Sequence, residues 1–203
     1  MAINNMSSGR QHQNIVVQVV KDFENIEVSL PKLKNLVRAI CSRFGLLEVT
    51  VSIAIVDDAQ IRKINKQFLN RNCTSDCLSF DLSDSPAPIE HSGAAGLGAP
   101  KSSRLGGAIG AGLPGIFELV VNGEMAVREG RLRGHSGEAE LTLYVTHGLL
   151  HNVGFDDSTK EKAKKMHNAE DEILQRLGYG AVYNKGVKST VNRKSQIANL
   201  KSR

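Results

Sequence analysis

The chain has 203 residues, of which 40% are hydrophobic and 23% are charged. These ordinary values exclude wholesale disorder and fibrous repeats, and the length favours a single hydrophobic core. The longest apolar stretches fall far short of the roughly 18 to 20 residues that a membrane-spanning helix needs. The first residues are rich in Asn, Gln and Ser and lack the apolar centre of a secretory signal, so the sequence predicts a cytoplasmic protein with no membrane partner.

The net charge of +5 is concentrated at the C-terminus. Residues 185–203 carry six basic side chains and no acidic one, so the rest of the chain is slightly negative. A basic tail of this composition cannot form a core, and we expect it to be disordered. It either contacts nucleic-acid phosphates without sequence preference or only keeps the protein in solution.

The hydrophobic pattern predicts strands and helices in mixed order. Strands are expected at 14–20, 49–56, 77–82 and 117–122. Helices are expected to begin at Pro31 and at Asp57 or Asp58, and to span 124–133, 138–153 and 160–177. The inward faces of two of these helices are expected to include Phe68 and Leu177. Because the order lacks strict βαβ alternation, the predicted fold class is α+β, a small mixed sheet with helices packed on it and the apolar 138–153 helix at its centre.

The predicted domain covers residues 14–184, and three segments are expected to lie outside its core. They are a flexible N-terminus (1–13), an insertion at about 84–115 and the basic tail (185–203). The insertion holds eight of the 19 glycines and four of the five prolines. Since it lacks the large side chains that could offset the entropy of ordering it, it reads as a flexible loop within one domain.

The chain has three cysteines, Cys41, Cys73 and Cys77, and this odd number does not suggest a disulfide framework. Cys73 and Cys77 have no second pair with which to form a four-sulfur metal cage. We therefore expect reduced, partly buried thiols.

A candidate metal site follows from the spacing of two histidines. His147 and His151 lie four residues apart in a predicted helix, which places their imidazoles on one face at a separation that a metal ion can bridge. Gly154 permits a chain reversal that returns the carboxylate of Asp156 or Asp157 toward that face. Two imidazoles and one carboxylate leave a tetrahedral position for water, as in catalytic zinc sites. Alternatively, the histidines only bond to neighbours, and the two aspartates cap a helix that starts near Ser158.

The stretch HGLLHNVGFDD at 147–157 resembles the pattern H-G-x-L-H-L-x-G-Y-D-H of the YbeY family, which comprises metal-dependent, single-strand-specific endoribonucleases of rRNA maturation. Residues 61–82 (IRKINKQFLNRNCTSDCLSFDL) resemble the family's L-N-x-x-F-R and P-T-D-V-L-S-F stretches. Residues 117–122 resemble its strand G-D-I-x-I-S, and the LGY at 177–179 resembles the end of its last helix. The similarity extends from about residue 15 to residue 183.

The resemblance implies one zinc ion (Zn2+) held by His147, His151 and Asp157. It further implies that the partners are single-stranded RNA, rRNA, and a ribosomal subunit or its assembly factors, in rRNA maturation and ribosome quality control. Asp157 stands where the family has its third histidine, and Leu69 stands where it has an arginine. These two departures imply reduced activity, because a carboxylate ligand makes bound water less acidic and a guanidinium could hold the scissile phosphate.

Candidates for the remaining catalytic roles are less tightly specified. Arg71 could replace the missing arginine, and Glu118 or Asp76 could act as the general base if the fold brings either one near the metal. Asp76 and Ser79 are expected mainly to hold their strand beside the metal helix. His167 is expected to be a surface histidine rather than a ligand, and no role is expected for His12, His91 or His135.

Two other functions remain open from the sequence. One is a non-catalytic ribosome-assembly or RNA-binding factor that kept the fold. The other is a zinc peptidase-like hydrolase, although Gly148 occupies the position where H-E-x-x-H peptidases keep their glutamate base.

Overall fold

The computed structural model describes residues 13–83 and 114–183. Apart from boundary residues, the predicted N-terminal segment, insertion and basic tail lie outside these ranges, as do His12 and His91. No helix within the two described ranges is long and apolar enough to cross a membrane.

Four strands form one mixed sheet. They are β1 (Asn14–Lys21), β2 (Glu48–Val56), β3 (Cys77–Asp81) and β4 (Gly115–Asn122). The order across the sheet is β1-β2-β4-β3, with β1, β2 and β4 parallel and β3 antiparallel to β4. Each strand begins or ends within two residues of its prediction. The largest difference is at Gly115, assigned to the insertion but paired with Val49 at the start of β4.

Five helices complete the described fold, and the α+β prediction is confirmed. They are α1 (Leu30–Arg43), α2 (Asp58–Leu69), α3 (Gly123–Arg133), α4 (Gly137–Asn152) and α5 (Lys160–Arg176). Asp57 is the N-cap of α2: its carboxylate accepts from the backbone of Gln60, whose side chain accepts in return from the backbone of Asp57. This reciprocal pair satisfies two otherwise unpaired N–H groups and explains why the helix starts after Asp57 and not after Asp58.

The sheet separates two apolar layers. α1 and α4 share the larger layer with Leu119 and Val121, whereas Ile61 of α2 packs with Val56 and Leu78 in a smaller cluster. α4 is largely buried, as its apolar sequence predicts.

Gly148 allows α4 to approach the sheet closely. A Cβ at this position would lie 2.3 Å from Leu119 Cδ2 and 2.8 Å from Cys77 Sγ, so a side chain here would require these two side chains or the helix to shift.

Three residues are less buried than expected. Phe68 and Leu177 are 56% and 39% exposed, because each lies at the C-terminal end of its helix; Phe68 still contacts the ring of Phe80 on β3. Cys73 is exposed, while Cys41 is buried and burial raises the pKa of its thiol to about 11. His135 lies within the fold, where it contacts Glu140.

Candidate metal centre

His147 and His151 present their imidazoles to one another on the same face of α4. Their ring centroids are 4.6 Å apart and the rings are perpendicular. The two Nε2 atoms are separated by 3.1 Å. The helical spacing thus places the two Nε2 atoms close enough to bind one metal ion, as the sequence predicts.

Asp157 joins this pair after a chain reversal. Gly154, which follows α4, has a φ of +96°, a conformation that side chains with a Cβ rarely adopt, and the chain turns back there. Asp157 Oδ2 lies 3.9 Å from His147 Nε2, and the candidate ligand atoms of all three residues lie within 4.8 Å of one another. Among the described residues, this is the one group of three or more such side chains that could hold a metal ion.

The capping alternative does not describe Asp157. Thr159 is the N-cap of α5 and accepts from the backbone of Lys162. Asp156 accepts from the backbone and hydroxyl of Ser158 and from Lys162 Nζ, so it turns away to the loop and the helix. The carboxylate of Asp157 is left facing the histidines.

Hydrogen bonds at Nδ1 decide which nitrogen of each imidazole is free. His151 Nδ1 lies 3.1 Å from the carbonyl oxygen of Phe155, and His147 Nδ1 lies 2.7 Å from Glu170 Oε1. A carbonyl and a carboxylate accept, so each Nδ1 donates its proton and each neutral ring keeps a lone pair at Nε2. Both lone pairs therefore point toward Asp157 and toward each other, which suits a cation between them.

Glu170 is the residue of the site that sequence reasoning missed. It is 1% exposed, and it also contacts His167, whose Nδ1 lies 2.9 Å from Glu170 Oε2. A signal was present in the sequence: Glu170 lies four residues after Met166 and three before Ile173, on the apolar face of α5. A glutamate on a buried face needs a partner.

The electrostatics of His147 reflect this environment. Burial lowers its pKa, but the hydrogen bond and charge of Glu170 outweigh that effect, with contributions from Asp76 and Asp157, and the net pKa lies above the ordinary histidine value. The site therefore has an excess of negative charge close to the two imidazoles.

Four other residues considered in the sequence analysis line a cleft and do not belong to the ligand group. Arg71 and Leu69 line a cleft of about 420 Å³ at the free edge of β3. Cys77 and Ser79 line the same cleft, and both lie against Gly148, the neighbour of His147. Cys77 and Ser79 thus connect the cleft to α4 at the residue next to His147.

The two candidate bases differ in their relation to the ligand group. Glu118 alternates with the buried Phe117 and Leu119 on β4, so its exposed side chain faces away from α4. The fold therefore does not bring Glu118 to the ligand group, contrary to expectation. Asp76 acts on the ligand group through its charge, which contributes to the raised pKa of His147. Its Oδ1 accepts from the backbone of Cys77, which anchors the start of β3 as predicted.

The donor set fits a zinc ion. Two imidazole nitrogens and one carboxylate oxygen are ligands that zinc accepts, and they leave one position of a tetrahedron open. His147 is also bonded to a buried carboxylate through its other nitrogen, as metal-bound histidines commonly are.

Comparison with known proteins places the chain in a family. The family model for endoribonuclease YbeY matches residues 18–178. Proteins named endoribonuclease YbeY are similar to the chain. The one from Bacillus licheniformis is 28% identical over 75% of this chain and 87% of its own length. That of Chelativorans is 33% identical over 68% of this chain and 72% of its own length, and that of Aquifex aeolicus is 27% identical over 85% and 97%.

A solved structure also matches in part. The solution structure of a Thermotoga maritima protein aligns with a TM-score of 0.48 and 20% identity, over 79% of this chain and 91% of that one. The match to the family model spans more than half of the chain, in agreement with the motifs of the sequence. The chain belongs to the endoribonuclease YbeY family.

Proposed function

We propose that this chain is a zinc-dependent, single-strand-specific endoribonuclease that acts in rRNA maturation and ribosome quality control. The observation that carries the proposal is the convergence of His147 and His151 Nε2 with the carboxylate of Asp157, while both Nδ1 atoms are bonded elsewhere. Membership of the family supports RNA as the substrate.

Each residue of the site has a separate role in the proposed reaction. His147, His151 and Asp157 hold the ion, which supplies a Lewis acid and lowers the pKa of water toward neutrality. Arg71 lines the adjacent cleft and offers a guanidinium to a phosphate of the RNA. Asp76, whose charge acts on His147, accepts a proton from the attacking water as the general base in place of Glu118.

Two departures from the family pattern imply a reduced rate. Asp157 adds a negative charge to the ligand set, which makes water at the ion less acidic than three neutral imidazoles would. Leu69 packs beside Ile61, Leu78 and their neighbours and has no charge to offer. Arg71 compensates only for the second departure.

We further propose that the protein works in the cytoplasm with a ribosomal subunit or its assembly factors, where rRNA precursors are found. The basic tail at 185–203 contributes affinity for RNA through phosphate contacts.

The test is cleavage of single-stranded RNA by nuclease-free, zinc-loaded protein. His151→Ala should abolish cleavage because it removes one of two imidazole ligands. Glu172→Gln, which changes an exposed residue of α5 that pairs with Arg43 and Arg176, should cleave at the normal rate. Equal cleavage by the His151→Ala variant would reject the proposal.

A non-catalytic assembly factor is the second candidate, and the apolar setting of Leu69 favours it. It predicts RNA binding without cleavage, and cellular rescue by His151→Ala as good as by the wild type. A zinc peptidase is less well supported, since the position of its glutamate base is Gly148, where the structure has no room for a side chain.

A further inference from the structure

We propose that Glu170 is a positioning residue of the metal centre. It holds the His147 ring so that Nε2 faces His151 and Asp157, and His167 in turn holds the carboxylate of Glu170. The inference rests on the proposed metal site and extends it by a residue pair that does not contact the ion.

The geometry gives Glu170 one histidine for each oxygen. Oε1 lies 2.7 Å from His147 Nδ1, and Oε2 lies 2.9 Å from His167 Nδ1. The carboxylate is 1% exposed, so water does not compete for these contacts. With both oxygens engaged, rotation of the carboxylate breaks two hydrogen bonds at once.

His167 is itself held from the other side. Its ring stacks on that of Tyr183, with centroids 3.6 Å apart and planes at 12°. The histidine expected at the surface is thus partly buried and lies within a chain of contacts that runs from Tyr183 through His167 and Glu170 to His147.

Charge explains why a carboxylate is useful there. Within the described ranges, the ion pairs of Glu170 are with histidines alone, and no lysine or arginine pairs with it. A buried carboxylate without a permanent cation is costly. Donation from His147 Nδ1 to this carboxylate makes Nε2 a better ligand, and a cation at Nε2 then offsets the buried negative charge.

The two imidazoles differ in how they are oriented. His151 Nδ1 is bonded to the main-chain carbonyl of Phe155, which no substitution removes. The partner of His147 is a side chain, so its contribution can be measured directly by mutation.

The experiment uses the full-length chain and two variants, Glu170→Ala and Glu170→Gln. The matched control is Glu172→Gln, two residues along α5 and 46% exposed. Zinc affinity is measured by competition with a chromophoric chelator. Glu170→Ala should weaken zinc binding by about 10- to 100-fold, the range typical of such partners. Glu170→Gln should lose less, since its amide oxygen still accepts from Nδ1, and Glu172→Gln should change affinity less than about twofold.

A second readout reports orientation without zinc. Nitrogen-15 NMR of the imidazoles distinguishes the Nδ1–H from the Nε2–H tautomer. Wild-type His147 should be the Nδ1–H form in its neutral state, and Glu170→Ala should lose that preference while His151 keeps it.

Unchanged zinc affinity and an unchanged His147 tautomer in folded Glu170→Ala protein would overturn the inference. If that variant does not fold, Glu170→Gln decides through zinc affinity: because the amide keeps an acceptor but lacks the negative charge, an affinity equal to that of Glu172→Gln would overturn the inference. If the wild type binds no zinc, the proposed function fails, while the tautomer of His147 still tests whether Glu170 positions the ring.

Discussion

Glu140 and Glu170 are both almost completely buried, they lie on the packed helices α4 and α5, and each contacts histidine. Glu140 bonds to His135 and lies 3.3 Å from Arg133 Nη1. Glu170 bonds to His147 and His167, and no lysine or arginine pairs with it in the described ranges.

The difference separates a structural carboxylate from a functional one. Arginine stays charged at any pH that proteins experience, so the charge of Glu140 is neutralised within the fold. Among the residues that the structure describes, the charge of Glu170 is compensated by histidines alone, whose own charge depends on conditions. A bound cation is therefore needed to balance the negative charge of Glu170, whereas Arg133 already balances that of Glu140.

The largest expected effect comes from removing Glu140. Glu140→Ala should lower the free energy of unfolding by about 3 kcal/mol, because it leaves the largely buried side chain of His135 without its partner and opens a cavity at a fully buried position of α4. Glu129 pairs with Arg133 at 3.5 Å but is partly exposed, so Glu129→Ala should cost less than about 1 kcal/mol. Chemical denaturation measures both, and equal losses would show that burial of Glu140 is not what matters.

The stability gained on zinc binding should distinguish the Glu170 region from the Glu140 region. Saturation at about 100 times the dissociation constant should stabilise the wild type by about 2.7 kcal/mol. The same gain is expected in Glu140→Ala, whose site is intact, but not in His151→Ala. A gain in all three proteins would locate the zinc elsewhere.

A substitution at Gly148 tests whether the close packing of α4 on the sheet is needed for stability and for zinc binding. Gly148→Ala should destabilise the fold by about 1 to 3 kcal/mol, because its Cβ would overlap Leu119 and Cys77. Displacement of the helix should also weaken zinc binding, since His147 is the adjacent residue. Unfolding midpoints and zinc titrations that match the wild type would contradict the close approach.

The smallest effect is expected from Asp58, a partly exposed carboxylate that provides a surface reference for the buried ones. Burial raises its pKa, but hydrogen bonds from Asn122 and Arg128 and the charge of Arg128 outweigh this, so the net pKa is lowered. A lowered pKa in the folded state means that Asp58 stabilises the protein above the unfolded-state pKa of 3.8 and loses this contribution as the pH falls through the folded pKa.

Asp58→Asn should therefore reduce stability near pH 7 by less than about 1 kcal/mol and flatten the loss of stability below about pH 4. Denaturation curves between pH 2 and pH 7 measure this, and an acid limb parallel to that of the wild type would contradict the assignment.

Local sequence patterns predicted most of the fold and the three candidate metal ligands, but not the residues that contact those ligands. The four-residue spacing of His147 and His151 fixes their proximity because it depends on helical geometry alone. Gly154 likewise permits a reversal, and the structure places Asp157 beside the histidines. Asp57 and Asp58 could not be separated as caps, since the choice depends on the reciprocal bond from Gln60.

The partners of the histidines depend on how helices pack, which local spacing does not encode. Glu170 is 23 residues from His147 and meets it only because α5 packs on α4. His135, for which no role was predicted, contacts Glu140 across the turn between α3 and α4. The orientation of Glu118 could have been predicted from the sequence, because alternation along a strand places Glu118 on the face of β4 opposite to Phe117 and Leu119.

Zinc stoichiometry tests the central claim most directly. Tag-free wild-type protein purified without chelators is compared with the Asp157→Ala and Asp156→Ala variants. Asp156 is the control because, in the wild type, its carboxylate binds Ser158 and Lys162 and not the two histidines. We expect about one zinc per chain in the wild type and in Asp156→Ala, as one closed ligand set predicts, and much less in Asp157→Ala. Absence of zinc from all three proteins after zinc is offered, or equal zinc in all three, would contradict a site built by His147, His151 and Asp157.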